Sequence, residues 1–262
     1  MRVSLIQMNS GSDKSANIEK ALKLMKESLK DNPDVICLSE MFLYWGEGIS
    51  KEELESPIVK EFREFANINN INIILGSIGL LSDEKDKVTN TSLVINRHGD
   101  IMHRYDKIYM YTVDRKDLKI DEGRDTIRGD KIEVFELEGI KMGIGICFDL
   151  RFPEYFRKLT ELGAEMIFLP SSFRKITGQL AWDILPKARA IENQVYFCAC
   201  NQTGGSGLKA RCGNTKIISY NGEVISSLDE EEGYITVDLD IEKLRKFRTE
   251  VPVSKQVIDV KK

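Results

Sequence analysis

Residues 145–154 read Gly145-Ile146-Cys147-Phe148-Asp149-Leu150-Arg151-Phe152-Pro153-Glu154. The segment Lys141 to Ile146 leads into them as an expected strand. Pro153 suits the first turn of a helix, where its missing N–H would have no intrahelical partner. The stretch is therefore a strand-to-helix junction with Cys147 at the strand's carboxyl end, the place where α/β sheets carry their ligands.

Working outward, the same order recurs. Val3 to Met8 reads as a buried strand, and Ser15 to Lys30 carries Ile18, Ala21, Leu22, Met25 and Leu29 at helical spacing. Asn32-Pro33 stops that helix, and Val35 to Leu38 makes the next apolar strand. A helix is expected over Lys51 to Asn69, then a strand over Ile71 to Leu80, then a hairpin of Ser92 to Asn96 and Ile101 to Tyr105 turning at His98-Gly99.

Beyond the junction the theme returns. Ile132 to Leu137 is a strand ahead of it; Gly163 ends the helix begun at Pro153, and Met166 to Leu169 is a strand. Gln179 to Asn193 is a helix, Val195 to Cys200 a strand, Gln202 to Gly213 a Gly-rich loop, and Asn221-Gly222 a turn before the strand Val224 to Ser227. Alternating strands and helices imply a layered α/β protein, and the hairpins imply mixed sheets. No linker divides the chain, so residues 1–262 read as one domain of two related halves, with a catalytic core to about residue 245 and a tail over 246–262.

Composition narrows the function. The chain of 262 residues has 38 Lys+Arg against 42 Asp+Glu, a net charge of −4, and 42% hydrophobic residues, enough for a large core and incompatible with disorder. Near-balanced charge argues against nucleic acid or anionic lipid as partner. No window supplies the roughly 18 apolar residues of a membrane span, and no signal peptide precedes the first strand, so a cytoplasmic protein is expected. Five cysteines without a CxxC pair and only two histidines, His98 and His103, favour a reduced compartment over disulfides or a metal site.

Cys147 is either a small core residue or a nucleophile. A nucleophile needs a proton acceptor, because a free thiol is only a few per cent ionised at pH 7. His103, beside the hairpin turn, would serve a Cys-His transferase. Two strand ends offer another set: Glu40 follows Val35 to Leu38, and Lys107 follows Ile101 to Tyr105. A carboxylate can take the thiol proton, and an ammonium can favour the thiolate and then an oxyanion.

With these residues the chain resembles the nitrilase superfamily of carbon–nitrogen hydrolases. Leu38-Ser39-Glu40-Met41-Phe42, Tyr105-Asp106-Lys107-Ile108 and Ile146 to Glu154 look like its Glu, Lys and Cys motifs, in its order. The likeness continues through Leu169 to Phe173, Ile176-Thr177-Gly178, Trp182, Lys187 to Asn193 and Val251-Pro252-Val253. It implies a four-layer αββα sandwich, a homodimer or larger homo-oligomer packed across helices, and no cofactor or metal.

The resemblance also implies roles: Glu40 as general base and acid, Lys107 as oxyanion stabiliser, Cys147 as nucleophile, and Glu122 as a second glutamate of the catalytic set. The reaction would be amide hydrolysis through a cysteine thioester, with the Phe148 N–H completing the oxyanion site and ammonia released. The pattern is most similar to the branch of deaminated glutathione amidase and ω-amidase, which implies anionic 2-oxo acid amides as substrates. Arg151 would then clamp the carboxylate, unless it pairs with Asp149 or Glu154, and Phe173 and Thr177 would line the pocket.

Two segments depart from that branch. Gly213-Asn214-Thr215 stands where relatives often have Gly-His-Ser, and the loop Thr203 to Arg211 lies outside the resemblance. An N-carbamoyl amidohydrolase uses the same nucleophile and is the alternative within the family; a catalytically silent binding protein is the alternative outside it. Gly204-Gly205-Ser206-Gly207 lacks the Gly-Lys-Ser/Thr ending of a phosphate-binding loop.

Overall fold

The computed structural model describes residues 1–46, 48–84 and 86–253. The first half runs β1 (Arg2–Gln7), α1 (Lys14–Ser28), β2 (Val35–Cys37), α2 (Pro57–Asn69), β3 (Asn72–Leu81), β4 (Val88–Ile95) and β5 (Ile101–Asp106). A small hairpin of β6 (Thr112–Asp114) and β7 (Lys119–Asp121) and the short β8 (Thr126–Ile127) lead to the second half. That half contains β9 (Phe135–Leu137), β10 (Ile140–Ile144), α3 (Pro153–Glu161), β11 (Met166–Ser171), α4 (Lys175–Asn193), β12 (Tyr196–Asn201), β13 (Lys216–Ile218) and β14 (Val224–Ser227). The final elements are β15 (Gly233–Asp238) and α5 (Ile241–Glu250).

Among the described residues one sheet has the order β15-β1-β2-β3-β4-β5, with β8 on β4, and the other β14-β13-β12-β11-β10-β9. Both are mixed: β1, β2 and β3 run parallel, as do β10, β11 and β12, while the outer strands are antiparallel except β8, which runs parallel to β4. Alternation along the strands explains the layers. Val3, Leu5, Val35, Cys37, Ile74 and Val94 join one core with the second sheet, whereas Ile6, Ile36, Ile73, Leu93 and Ile95 join another with Ala21 and Met25 of α1 and Val59 and Phe62 of α2. A strand buried on both faces needs apolar residues at both parities, which is why these segments read as near-continuous hydrophobic runs. The result is the αββα sandwich.

Three boundaries differ from expectation. The helix expected from Lys51 begins at Pro57, because Ser56 caps it, its hydroxyl accepting from the Val59 N–H at 3.4 Å, and Pro57 occupies the first turn. Residues 51–56 instead run beside β3 through a bridge between Glu52 and Leu80. Helix α4 starts at Lys175, four residues before the expected Gln179. At the carboxyl end β15 pairs antiparallel with β1, and α5 crosses the expected 245/246 boundary; residues 254–262 of that tail lie outside the described residues.

Among the described residues no helix is long and apolar enough to cross a membrane. All five cysteines are free and buried. The Cys200 thiol reaches the Ile6 carbonyl at 3.1 Å and the Cys37 carbonyl at 3.4 Å, filling the space between the two sheets.

Candidate active site

Each chemical group sits just beyond a strand. Glu40 follows β2, and its turn is held from both sides: Met41 adopts φ 52° and its N–H reaches Ser77 Oγ at 3.1 Å. Gly76, at the irregularity in β3, lies so close that a Cβ there would stand 2.2 Å from the Ser39 carbonyl oxygen. Only a residue without a side chain permits that approach. The Gln202 amide donates to the Glu40 carbonyl at 2.8 Å, tying this turn to the second half.

Lys107 follows β5. Its N–H donates to the Asn90 carbonyl at 2.9 Å, so the end of β4 fixes where the ammonium enters. Glu122 follows β7 in a short turn capped by Asp121, and its N–H reaches the Tyr111 carbonyl at 3.0 Å.

These three side chains converge. Lys107 Nζ, only 1% exposed, lies 3.0 Å from Glu40 Oε1 and 3.0 and 2.8 Å from the two oxygens of Glu122. Burial alone would lower the Lys107 pKa, but the charges of Glu122 and Glu40 outweigh it and hold the ammonium well above its ordinary value. Asn90 donates to both carboxyl groups at 3.0 Å, and the Tyr111 N–H donates to Glu122 at 2.7 Å.

Cys147 begins a short 3₁₀ turn, Cys147–Arg151, after β10 and has φ 47°, a left-handed conformation that non-glycine residues rarely adopt. Asp149 holds the turn. Its buried carboxyl accepts from Tyr105 Oη at 2.7 Å, the Ile146 N–H at 2.7 Å and the Tyr109 N–H at 3.0 Å, which ties the cysteine turn to the segment bearing Lys107. Burial raises the Asp149 pKa to about 6 despite those donors.

The Cys147 thiol faces Glu40 and Lys107 together. Burial pushes its pKa well above the usual thiol value, Glu40 pushes it further by charge and by a hydrogen bond, and Lys107 and the Ser172 N–H only partly oppose them. The resting group is thus a neutral thiol hydrogen-bonded to a carboxyl, rather than a preformed thiolate.

All eight residues singled out from the sequence, Glu40, Lys107, Glu122, Cys147, Phe148, Arg151, Phe173 and Thr177, line one cavity of about 240 Å³. Arg151 pairs with neither Asp149 nor Glu154; it donates to the Thr177 carbonyl at 2.8 Å, and its guanidinium carbon lies 5.7 Å from the Phe148 ring centroid and 5.9 Å from that of Phe173. Its Nε is buried without a partner. Thr177 Oγ1 contacts Tyr111 Oη at 2.6 Å, and Phe173 both lines the cavity and packs on Trp182 at 5.0 Å.

His98 and His103 do not line the cavity. His103 stacks on Phe135 at 5.0 Å, so the geometry overturns the Cys-His reading. Sequence reasoning missed Asn90, Trp45 and Arg174, which line the cavity as well. Asn90 lies two residues before the expected strand Ser92 to Asn96 and inside the observed β4, and nothing local marks it. Among the described residues no cluster of three or more His, Cys, Asp or Glu side chains is set to hold a metal ion.

Comparison with known proteins agrees with this architecture. Residues 2–249 match the carbon-nitrogen hydrolase family model. The chain is 32% identical to a deaminated glutathione amidase of Dictyostelium discoideum, over 96% of this chain and 92% of that one. It is 30% identical to omega-amidase NIT3 of Saccharomyces cerevisiae, over 98% and 92%. The crystal structure of Saccharomyces cerevisiae Nit3, a member of branch 10 of the nitrilase superfamily, superposes with a TM-score of 0.87 at 27% identity, covering 98% of this chain and 96% of that one. The strand-end carboxyl, ammonium and thiol sharing one cavity thus occur in a chain that belongs to the carbon-nitrogen hydrolase family.

Proposed function

We propose that the protein is a thiol-dependent amidase that hydrolyses the amide bond of a 2-oxo acid amide, such as 2-oxoglutaramate or deaminated glutathione. The observation that carries this reading is the buried Glu40–Lys107–Glu122 network opening onto the same cavity as Cys147. The named relatives supply the substrate class.

In the first step Glu40 takes the thiol proton as Cys147 attacks the amide carbon, and the oxyanion is held by the Lys107 ammonium and the Phe148 N–H. Protonated Glu40 then gives its proton to the departing nitrogen, leaving a thioester; from a primary amide the product is ammonia. Water activated by Glu40 cleaves the thioester and restores the thiol. Glu122 acts through Lys107, which it holds in place, and Asn90 spaces the two carboxyl groups. The neutral resting thiol fits this sequence, because proton transfer accompanies attack.

Arg151, with no carboxylate partner among the described residues, is the clamp for the substrate's carboxylate. Phe173 and Thr177 shape the pocket beside it. The exposed face of α4, with Leu180 at 72% and Ile184 and Ile191 at 52%, supports packing against a second copy of the chain as a homodimer. Five unpaired thiols support a cytoplasmic location.

Purified wild type and Cys147→Ala should be assayed for ammonia release over 2-oxoglutaramate, N-carbamoyl compounds and simple aliphatic amides. Turnover of the 2-oxo acid amide by wild type and none by Cys147→Ala, with the circular dichroism unchanged, is the expected result. An active Cys147→Ala overturns the mechanism, and exclusive turnover of N-carbamoyl compounds overturns the substrate. Sedimentation of the wild type as a clean monomer at micromolar concentration overturns the dimer.

A further inference from the structure

Among the described residues that line the cavity, four buried polar side-chain atoms have no hydrogen-bond partner: Asn90 Oδ1, Thr126 Oγ1, Arg151 Nε and Ser172 Oγ. The first two belong to the adjoining strands β4 and β8, on the side of the acids that Asn90 bridges. The other two stand on the cysteine side, and each can donate. A buried donor left unpaired is unfavourable, and a ligand that brings an acceptor relieves it.

Ser172 directly follows β11, and its N–H is hydrogen-bonded to the Cys147 sulfur. The next residue, Phe173, presents its ring to the Arg151 guanidinium at 5.9 Å. Ser172 thus links the atom that attacks the amide to the cation that clamps the carboxylate. The backbone here is held from both sides. The Gln202 N–H donates to the Ser171 carbonyl, the Phe173 N–H to Asn201 Oδ1 and the Cys212 N–H to the Phe173 carbonyl, each at 2.9 Å. Only the hydroxyl is left to move. Its single torsion has three staggered positions, so the oxygen can turn from the wall to a ligand without any shift of the chain.

Thr177 Oγ1 and Tyr111 Oη, by contrast, contact each other at 2.6 Å. An acyl chain bonded to Cys147 and held at its far end by Arg151 passes Ser172 on the way. In 2-oxoglutaramate the one hydrogen-bonding group between the amide carbon and the carboxylate is the 2-oxo oxygen, an acceptor.

We propose that the Ser172 hydroxyl donates to the 2-oxo oxygen of the substrate, so that the site selects a 2-oxo acid amide over the same amide with a methylene at that carbon. This rests on the amidase reading above and deepens it by naming the residue that recognises the oxo group. Ser172 binds substrate and moves no proton in the reaction.

The test compares 2-oxoglutaramate with glutaramate, which has a methylene in place of the oxo carbon, in wild type, Ser172→Ala and Ser172→Thr. The quantity read is the ratio of kcat/KM for the two amides, taken relative to wild type. That comparison cancels the intrinsic reactivity of the compounds and any general loss of activity in a variant. Ser172→Ala should lower the ratio about fivefold, the worth of one uncharged hydrogen bond. Ser172→Thr, which keeps the hydroxyl, should hold it within about twofold of wild type. Should the threonine variant fail to fold, Ser172→Ala alone decides.

Turnover of 2-oxoglutaramate by wild type leaves the amidase reading intact whichever way the ratio moves. A ratio in Ser172→Ala equal to that of wild type overturns the role of Ser172, as does a ratio lost equally in a folded Ser172→Thr. Turnover of glutaramate alone overturns both. If neither amide is turned over, the amidase reading fails on its own. In that case, or where glutaramate is inert, Ser172 is judged by calorimetric binding of the two amides to Cys147→Ala with and without Ser172→Ala. A preference for the oxo amide that disappears with Ser172→Ala upholds the role, and equal or absent binding overturns it.

Discussion

On the floor of the cavity Lys107 stands between Glu40 and Glu122 with all its contacts to carboxyl groups inside 3.0 Å, and Asn90 spans the two acids. On the wall Arg151 and Arg174 have carbonyl and ring contacts but no acid among the described residues. The floor is satisfied by the protein itself, so its geometry is set before any ligand arrives. The wall leaves positive charge unmatched, so its satisfaction must come from outside. Chemistry is built into the first region and selection into the second.

Breaking the floor should have the largest effect. Lys107→Met is expected to lower kcat/KM on the order of a thousandfold by removing the oxyanion donor. It should also destabilise the fold by about 3–5 kcal/mol, because two buried carboxyl groups lose their counter-charge. Denaturant unfolding followed alongside activity checks both, and a variant as stable as wild type contradicts the idea of a self-satisfied floor.

On the wall the effect should be on affinity. Arg151→Lys keeps the charge but loses the planar fork, and KM for 2-oxoglutaramate should rise roughly tenfold. An unchanged KM removes Arg151 from the clamp.

Asp149 lies between the two regions, and its effect should appear in pH. Its folded pKa of about 6 lies above the ordinary 3.8, so its contribution to stability is complete below the ordinary value and is lost as pH rises to about 6. Asp149→Asn removes that titration. The melting temperature of wild type relative to Asp149→Asn should therefore fall between pH 4 and 6 and level off above, a swing worth up to about 3 kcal/mol. A pH-independent difference between the two proteins argues against the shift.

The smallest effect is expected at His103, outside both regions. His103→Gln should change kcat/KM by less than about twofold, since the ring stacks on Phe135 and does not line the cavity. A crippled His103→Gln would revive the histidine-dependent mechanism.

Glu40, Lys107 and Cys147 were legible because each lies within three residues of the end of a strand, and these strand ends gather at one edge of the sandwich. Glu122 was legible only through resemblance, since it follows a three-residue strand, β7, that carries no periodic signal. Asn90 was not legible: it lies in the polar start of β4, ahead of the expected strand, and β4 is buried on both faces, so no local pattern marks a polar group turned toward two acids. The start of α2 was misread because the apolar spacing continues back to Leu54, while Ser56-Pro57 sets the boundary.

The arginines show the same division. The type of each side chain, and therefore its charge and its fork of donors, is written in the chain. Whether that charge is already paired depends on what the fold brings beside it. Asp149, two residues from Arg151, turned instead to Tyr105 and two backbone N–H groups, and Arg174 and Arg211, 37 positions apart, were brought together over the Trp45 ring. Strand and helix order, the three reactive groups and the reaction class follow from local patterns of hydrophobicity and motif. Charge pairing depends on distances of a few ångströms between remote segments, and only the packing of the two sheets decides those.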